Sequence, residues 1–321
     1  MKLLEIKNLR TVFNTGRKTF AAVDDISFDV EPGKTVAVIG ESGSGKSVTA
    51  LSIMGLIDYP GKITGGQILF KGENLLEKKE KQLRNIRGNE IAMIYQDPMV
   101  CLNPYIPVGD QIAEAIIIHK KADKAGAVKK ALELMKLVSI GDEEERYKQL
   151  PEKFSGGMRQ RIMIAMAVAC NPEILIADEP TTALDVTIQA EILELLNELK
   201  VKNNMAILLN SHDLEVVSVM ADEVVVLYCG KVMEIASREE ILNNPRNMYT
   251  KMLISCLPKM GDKRDRLETI PGYVPDIARL PEGCRFSNRC SKANERCRKE
   301  MPQLIEVQKG HWSRCWINEE E

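Results

Sequence analysis

The sequence predicts an α/β fold: a largely parallel sheet, an antiparallel β-subdomain, an inserted helical subdomain and a small cysteine-rich C-terminal extension. Three observations carry this. Strand-like and helix-like runs alternate along most of the 321 residues, as in a parallel sheet covered by helices on both faces. Several strand-like runs are continuously apolar, as strands buried on both sides are. The alternation stops near residue 258, where Pro, Gly and charged residues precede a cysteine-rich stretch.

The elements follow in order. "LLEIKNLR" (3–10) and "AVDDISFDV" (22–30) alternate apolar and polar residues, as half-buried antiparallel strands do. "TVAVIG" (35–40) is a buried strand stopped by glycine, and "KSVTALSIMGLI" (46–57) a helix. "GGQILFKGENLL" and "IAMIYQDP" add strands. "VGDQIAEAIIIHK" and "AVKKALELMKLV" are helical, and a further helix, "MRQRIMIAMAVAC", follows "FSGG". The helix-rich block from about 97 to 168 reads as an inserted subdomain. Beyond it come a buried strand "EILIADEP" (173–180), a helix from Val186, a strand "MAILLNSHD", a helix "LEVVSVMAD" and a hairpin turned at Gly230. The expected domains are 1–257 and a linker with the cysteine extension, 258–321.

Composition narrows the functional classes. Apolar residues make up 44 %, charged residues 28 %, and the net charge is −2, the balance of a soluble globular protein. The near-neutral charge argues against a nucleic-acid partner, which would leave a basic footprint. "MKLLEIKNLRTVF" is too short and too charged for a signal peptide. No apolar run approaches the ~20 residues that span a bilayer. A cytosolic location is expected, with any membrane role supplied by partners. Thiols stay reduced there, so a disulfide framework is not the expected use of eight cysteines.

"GESGSGKS" combines glycines, a lysine and a serine between a buried strand and a helix. Gly40, Glu41, Ser42, Gly43, Ser44, Gly45, Lys46, Ser47 and Val48 form a phosphate cradle: glycines let backbone N–H groups turn inward, and the helix start adds favourable dipole potential. Lys46 is placed to reach the β- and γ-phosphates of ATP, and Ser47 to ligate Mg²⁺. "ILIADEP" ends a buried strand in two carboxylates. Asp178 suits the magnesium shell, and Glu179 suits polarising the attacking water as general base. In "FSGGMRQR", Ser155, Gly156 and Gly157 open a helix with bare N–H groups, a second anion site.

With these motifs the chain resembles the ATP-binding cassette (ABC) family, whose LSGGQ signature reads FSGGM here, with Met158 in the glutamine position. The resemblance covers about residues 1–255 and preserves motif order. It implies a P-loop nucleotide-binding domain with a RecA-like core. It further implies that Gln96 contacts Mg²⁺ or the attacking water, that Asp185 communicates across a dimer, and that His212 contacts the γ-phosphate. Phe13 aligns with the residue that stacks on adenine, with Phe20 a second candidate. His119 and His311 have no such context and read as structural. In this family two cassettes meet head to tail, and each ATP lies between the P-loop of one and the signature of the other.

The phrases "GESGSGKSVTALSIMGL", "ITGGQILFKGENLL" and "PGYVPDIARLPEGCRFSNRC" resemble more narrowly the ATPases of dipeptide and oligopeptide importers. That resemblance implies a second cassette, identical or related, two transmembrane permease subunits, an extracytoplasmic peptide-binding protein, and a peripheral place on the cytoplasmic side of the membrane. The segment after Gln96, "DPMVCLNPYIPVGDQIAEA", would dock on the permease. Other cargo remains open: nickel complexes, glutathione or oligosaccharides. A soluble ATPase acting on nucleic acid or ribosomes, or a redox sensor, are readings of other classes.

Cys284, Cys290, Cys297 and Cys315 are spaced C-x5-C-x6-C-x17-C. Four thiolates suit zinc or an iron–sulfur cluster. Tight zinc knuckles are absent, and wider gaps accommodate a bulkier cubane. The family resemblance points to [4Fe–4S], with zinc or unligated thiols as the alternatives. Cys101, Cys170, Cys229 and Cys256 are expected to be buried apolar residues.

Overall fold

The computed structural model describes residues 2–16, 18–182, 184–256 and 269–319. The chain divides into two compact units. One comprises Lys2–Val30, Thr35–Leu76 and Asn210–Glu321; the other comprises Glu31–Lys34 and Glu77–Leu209. In chain order the strands are β1 (Leu4–Asn14), β2 (Thr19–Val30), β3 (Thr35–Ile39), β4 (Gly61–Phe70), β5 (Glu73–Asn74), β6 (Ile91–Ile94), β7 (Ile174–Asp178), β8 (Ala206–Ser211), β9 (Glu223–Tyr228), β10 (Lys231–Ser237), β11 (Ile305–Gln308) and β12 (His311–Ser313).

The first unit opens with an antiparallel sheet in the order β2-β1-β4-β5. Leu4 faces Val30 on one side and Phe70 on the other. Leu4, Ile6 and Leu9 are buried although strict alternation would bury Asn8 instead of Leu9. The register slips at this point, and Asn8 takes a left-handed φ of 49°. This bulge returns Leu9 to the buried face. The strand expected across "GGQILFKGENLL" ends at Phe70, because Lys71 and Gly72 both have positive φ and turn the chain.

The same unit holds a run of strands in the order β11-β12-β10-β9-β3. β3 is wholly buried and runs parallel to β9, and β9 and β10 form the expected hairpin. Its two turn residues, Cys229 and Gly230, both have positive φ, the geometry whose twist matches the flanking strands. The hairpin β11–β12 pairs onto β10, so the cysteine-rich extension continues this sheet. Tyr228, Tyr249 and Phe286 form an aromatic cluster with ring centroids 4.6, 5.2 and 5.4 Å apart. Each such pair contributes about 1 kcal/mol beyond its buried area. The first part of the expected linker, 258–268, lies outside the described residues.

In the second unit β6 runs parallel to β7, and β8 follows beside β7. Every residue of β6 and of β7 is buried, which explains the apolar run of β6 and of β7 up to Asp178. Within the expected helical insertion lie helices Val108–Ile118, Lys124–Leu137 and Gly156–Val168. The last two start on side-chain caps, Asp123 and Ser155, which accept from Gly126 and Met158 N–H. Helix Val186–Asn203 starts on Asp185 and ends at Asn204 in the left-handed region.

Candidate functional site

The phosphate loop follows β3 and leads into helix Lys46–Met54. Gly40 has φ 151°, and a Cβ there would lie 2.1 Å from the Leu227 carbonyl oxygen. Gly45 has φ 107°, and its Cβ would lie 2.6 Å from the Ala22 carbonyl oxygen. Conformation and space both demand glycine at these positions. Lys46 is buried, and its Nζ donates to Gly40 O at 2.7 Å and Glu41 O at 3.3 Å. The ammonium thus sits in the curve of the loop. The helix starts at Gly45 without a side-chain cap, and a helix start favours a bound anion. Ser44 Oγ is buried without a hydrogen-bond partner among the described residues, a further polar group suited to a ligand. Ser47 and Val48 continue into the helix.

Phe13 and Phe20 face each other across β1 and β2, stacked with centroids 6.0 Å apart. Both aromatic candidates therefore share one place on the sheet. His212 is exposed and follows the end of β8. The neighbouring Asp213 caps helix Leu214–Met220 through Glu215 N–H.

In the second unit Asp178 is the last residue of β7 and is buried. Glu179 follows with φ 49°, an uncommon left-handed conformation for a glutamate. Its Oε2 accepts from Gln96 Nε2 at 2.9 Å and from Thr182 Oγ1 at 3.0 Å. The structure thereby joins two residues that the sequence nominated separately, and adds Thr182, which it did not nominate. Gln160, on the helix that Ser155 caps, donates to Pro180 O at 2.6 Å. A Cβ at Gly157 would lie 2.8 Å from Ile188 Cγ2, in the first turn of the helix that Asp185 caps. The signature helix is thus tied to both the Glu179 turn and the Asp185 cap.

Cys284, Cys290, Cys297 and Cys315 all line one cavity of about 20 Å³, together with Met248, Trp316 and Arg314. That space holds about one water. Among the described residues, no group of three or more His, Cys, Asp or Glu side chains is disposed as a metal-ion site. Burial pushes the Cys284 thiol up to about 12, and the other three cysteines add to the shift. Burial also raises Cys290 and Cys315. A thiophilic cationic centre would reverse this penalty by binding the thiolates, so the donor chemistry fits such a group. Of the other cysteines, Cys170 and Cys229 are buried as expected, but Cys101 and Cys256 are only partly so.

His311, read as structural, is buried with its Nε2 2.7 Å from Glu234 Oε1. Two contacts to the phosphate loop escaped the sequence reading, one from Tyr249 and one from Arg289. Their partners are 208 and 248 residues away in the chain, so no local signal marks them.

Comparison with known proteins adds to this geometry. Residues 23–182 match the family described as ABC transporter, and residues 233–297 match the family described as oligopeptide/dipeptide transporter, C-terminal region. The second match includes Cys284, Cys290 and Cys297. The chain is 47 % identical to the oligopeptide transport ATP-binding protein AppD of Bacillus subtilis, over 99 % of this chain and 98 % of that protein. It is 47 % identical to the dipeptide transport ATP-binding protein DppD of Escherichia coli, over 98 % of this chain and 96 % of that protein. Among solved structures it is similar to the ATP-binding cassette MJ0796, seen as a dimer bound to ADP and Pi. There the TM-score is 0.66 and the identity 26 %, covering 73 % of this chain and 98 % of that one.

Proposed function

This chain belongs to the ABC transporter ATPases, in the branch that serves oligopeptide and dipeptide transport, and from that premise we propose how its residues drive peptide import. It hydrolyses ATP with Mg²⁺ and powers peptide uptake. The observation that carries this reading is identity of 47 % over nearly the whole chain to peptide-transport ATPases, with both cassette and C-terminal region matched.

The phosphate loop Gly40–Val48 takes the ATP phosphates on its N–H groups. Lys46 exchanges the Gly40 and Glu41 carbonyls for phosphate oxygens, and Phe13 stacks on the base. Ser47, Gln96 and Asp178 are the residues that would hold Mg²⁺, which neutralises phosphate charge when bound. Glu179 takes the proton of the attacking water, its carboxylate aimed by Gln96 and Thr182. His212 contacts the γ-phosphate. Ser155, Gly156 and Gly157 offer helix-start N–H groups to the ATP of a second cassette, and Asp185 carries the signal across that dimer.

Two permease subunits and an extracytoplasmic peptide-binding protein complete the importer, with this chain on the cytoplasmic side. Among the described residues no helix is long and apolar enough to cross a membrane. Met99, Val100 and Tyr105 are exposed apolar residues in the segment assigned to permease docking, which supports that assignment. Cys284, Cys290, Cys297 and Cys315 would hold a [4Fe–4S] cluster, which would brace the extension. The four converging thiols support it; the cavity of about 20 Å³ is far smaller than a cubane, and among the described residues no three such side chains are disposed as a metal site. Iron and acid-labile sulfide near four each per chain in anaerobically purified protein would support the cluster. Stoichiometric zinc without sulfide would replace it.

The function itself is tested on proteoliposomes containing this chain, its partner cassette, the permeases and the binding protein. Peptides should stimulate ATP hydrolysis. Stimulation instead by a nickel complex, glutathione or an oligosaccharide would reassign the cargo.

A further inference from the structure

Arg289 belongs to the cysteine-rich extension, one residue before Cys290, but its side chain is 5 % exposed and reaches the phosphate loop. One terminal nitrogen donates to Glu41 Oε2 at 2.7 Å and the other to Glu41 Oε1 at 3.0 Å, a bidentate pair. Its Nε donates to Pro271 O at 2.9 Å, and it also donates to Tyr228 OH at 3.2 Å. Burial works against the charge on Arg289, and the hydrogen bonds to Glu41 and Tyr228 outweigh it. Glu41 is the second residue of the loop, and its backbone N–H donates to Tyr249 OH at 3.0 Å. Tyr249 and Tyr228 pack on Phe286, which comes from the extension.

A second route runs beside the first. Arg285 donates to the Cys229 carbonyl oxygen and to Asp24. The next residue, Gly230, donates its N–H to Ser44 O at 2.8 Å, and its carbonyl accepts from Asp24 N–H at 2.9 Å. Residues 284–290 therefore grip the loop at Glu41 directly and at Ser44 through the β9–β10 turn.

This arrangement has an electrostatic consequence. An unpaired carboxylate at Glu41 would stand beside the polyphosphate and repel it. The Arg289 fork neutralises that charge and fixes the side chain in one place, while Tyr249 fixes the amide.

We propose that Arg289 is a positioning residue for ATP: through Glu41 it holds the phosphate loop in its binding form, making the cysteine-rich extension part of the support of the nucleotide site. The proposal rests on the loop binding ATP. Linkage makes it reciprocal: if the extension favours the binding form, ATP must tighten the extension.

The test titrates full-length chain with MgATP. Arg289→Gln should weaken binding about tenfold, mid-range for a contacting pair, and Glu41→Gln by less, because it loses the fork but also the repelling carboxylate. The double variant should be no weaker than either single, and Arg289→Lys should fall between wild type and Arg289→Gln, since it keeps the charge and loses the fork. Binding by Arg289→Gln within twofold of wild type overturns the proposal, as do effects that multiply in the double variant. Loss of binding in Lys46→Ala confirms the underlying loop assignment separately. Wild-type protein supplies an independent measurement if a variant fails to fold. MgATP should slow amide hydrogen exchange at Ser287, Arg289 and Cys290 as well as in the loop, and unchanged exchange in the extension overturns the proposal.

Discussion

Replacing Glu179 by Gln exchanges one oxygen for an NH₂ group at constant volume. In the wild type a single oxygen of Glu179 accepts from both Gln96, at 2.9 Å, and Thr182, at 3.0 Å. The amide oxygen can occupy the Oε2 place and keep both bonds, as weaker neutral ones, with the new NH₂ in place of Oε1. The left-handed backbone at φ 49° is no worse for Gln than for Glu. The structural cost is thus about 1 kcal/mol for weakened hydrogen bonds. For a chain of this size that lowers Tm by about 1–2 °C. The chemical cost is far larger. Removing the general base slows hydrolysis by about 10²–10⁴-fold, or about 3–5 kcal/mol in the barrier. MgATP affinity should hold, because Lys46 and the phosphate loop are untouched. Single-turnover hydrolysis of radiolabelled ATP in the assembled importer, with a parallel binding titration, separates the two effects. Hydrolysis within tenfold of wild type would refute the assignment of Glu179 as base.

Other perturbations reach different parts of the fold. Gly45→Ala places a Cβ 2.6 Å from a backbone oxygen at φ 107°, and nucleotide titration should find ATP binding lost. Ser155→Ala removes a helix cap whose hydrogen bond is 3.3 Å long, and thermal unfolding should show a loss of about 0.5–1 kcal/mol. Tyr147 is pushed up to about 12 by burial and by its hydrogen bond to Asp110. An unfolded tyrosine titrates near ~10, so its contribution to stability is complete below that pH and is lost as pH rises towards 12. Denaturant unfolding of Tyr147→Phe across that range should show a shallower decline than wild type. If the four cysteines hold the proposed cluster, Cys290→Ser should remove iron and visible colour and raise protease sensitivity after residue 270, leaving the nucleotide core folded.

What the sequence disclosed depended on whether the signal was local. β3 and β7 were legible because strands buried on both faces are continuously apolar, and each ends in chemistry, Gly40 in one case and Asp178–Glu179 in the other. Ser155 and Asp185 were recognisable as motif residues, while their capping bonds needed the backbone. The β9–β10 hairpin was visible from Gly230, but the positive φ of Cys229 was not, since cysteine carries no preference for it. β11 and β12 had a signal that the reading passed over: "IEVQKGHWS" alternates around a Lys–Gly turn, with Gly310 at φ 73°. Their pairing onto β10 is non-local and had no signal at all. The choice between Phe13 and Phe20 could not be made from loop length, because the two stack across adjacent strands. The bond from Gln96 to Glu179 joins two motifs 83 residues apart, and only the fold displays it.

Peptide uptake driven by this chain is the most direct test of its role. Proteoliposomes carrying the complete importer, with labelled oligopeptide and binding protein on one side and MgATP with this chain on the other, would be followed for peptide accumulation. The account predicts ATP-dependent accumulation with wild-type chain and none above background with Glu179→Gln, although that variant still binds ATP. Equal accumulation with both chains, or ATP hydrolysis by the wild type with no peptide movement, would contradict it.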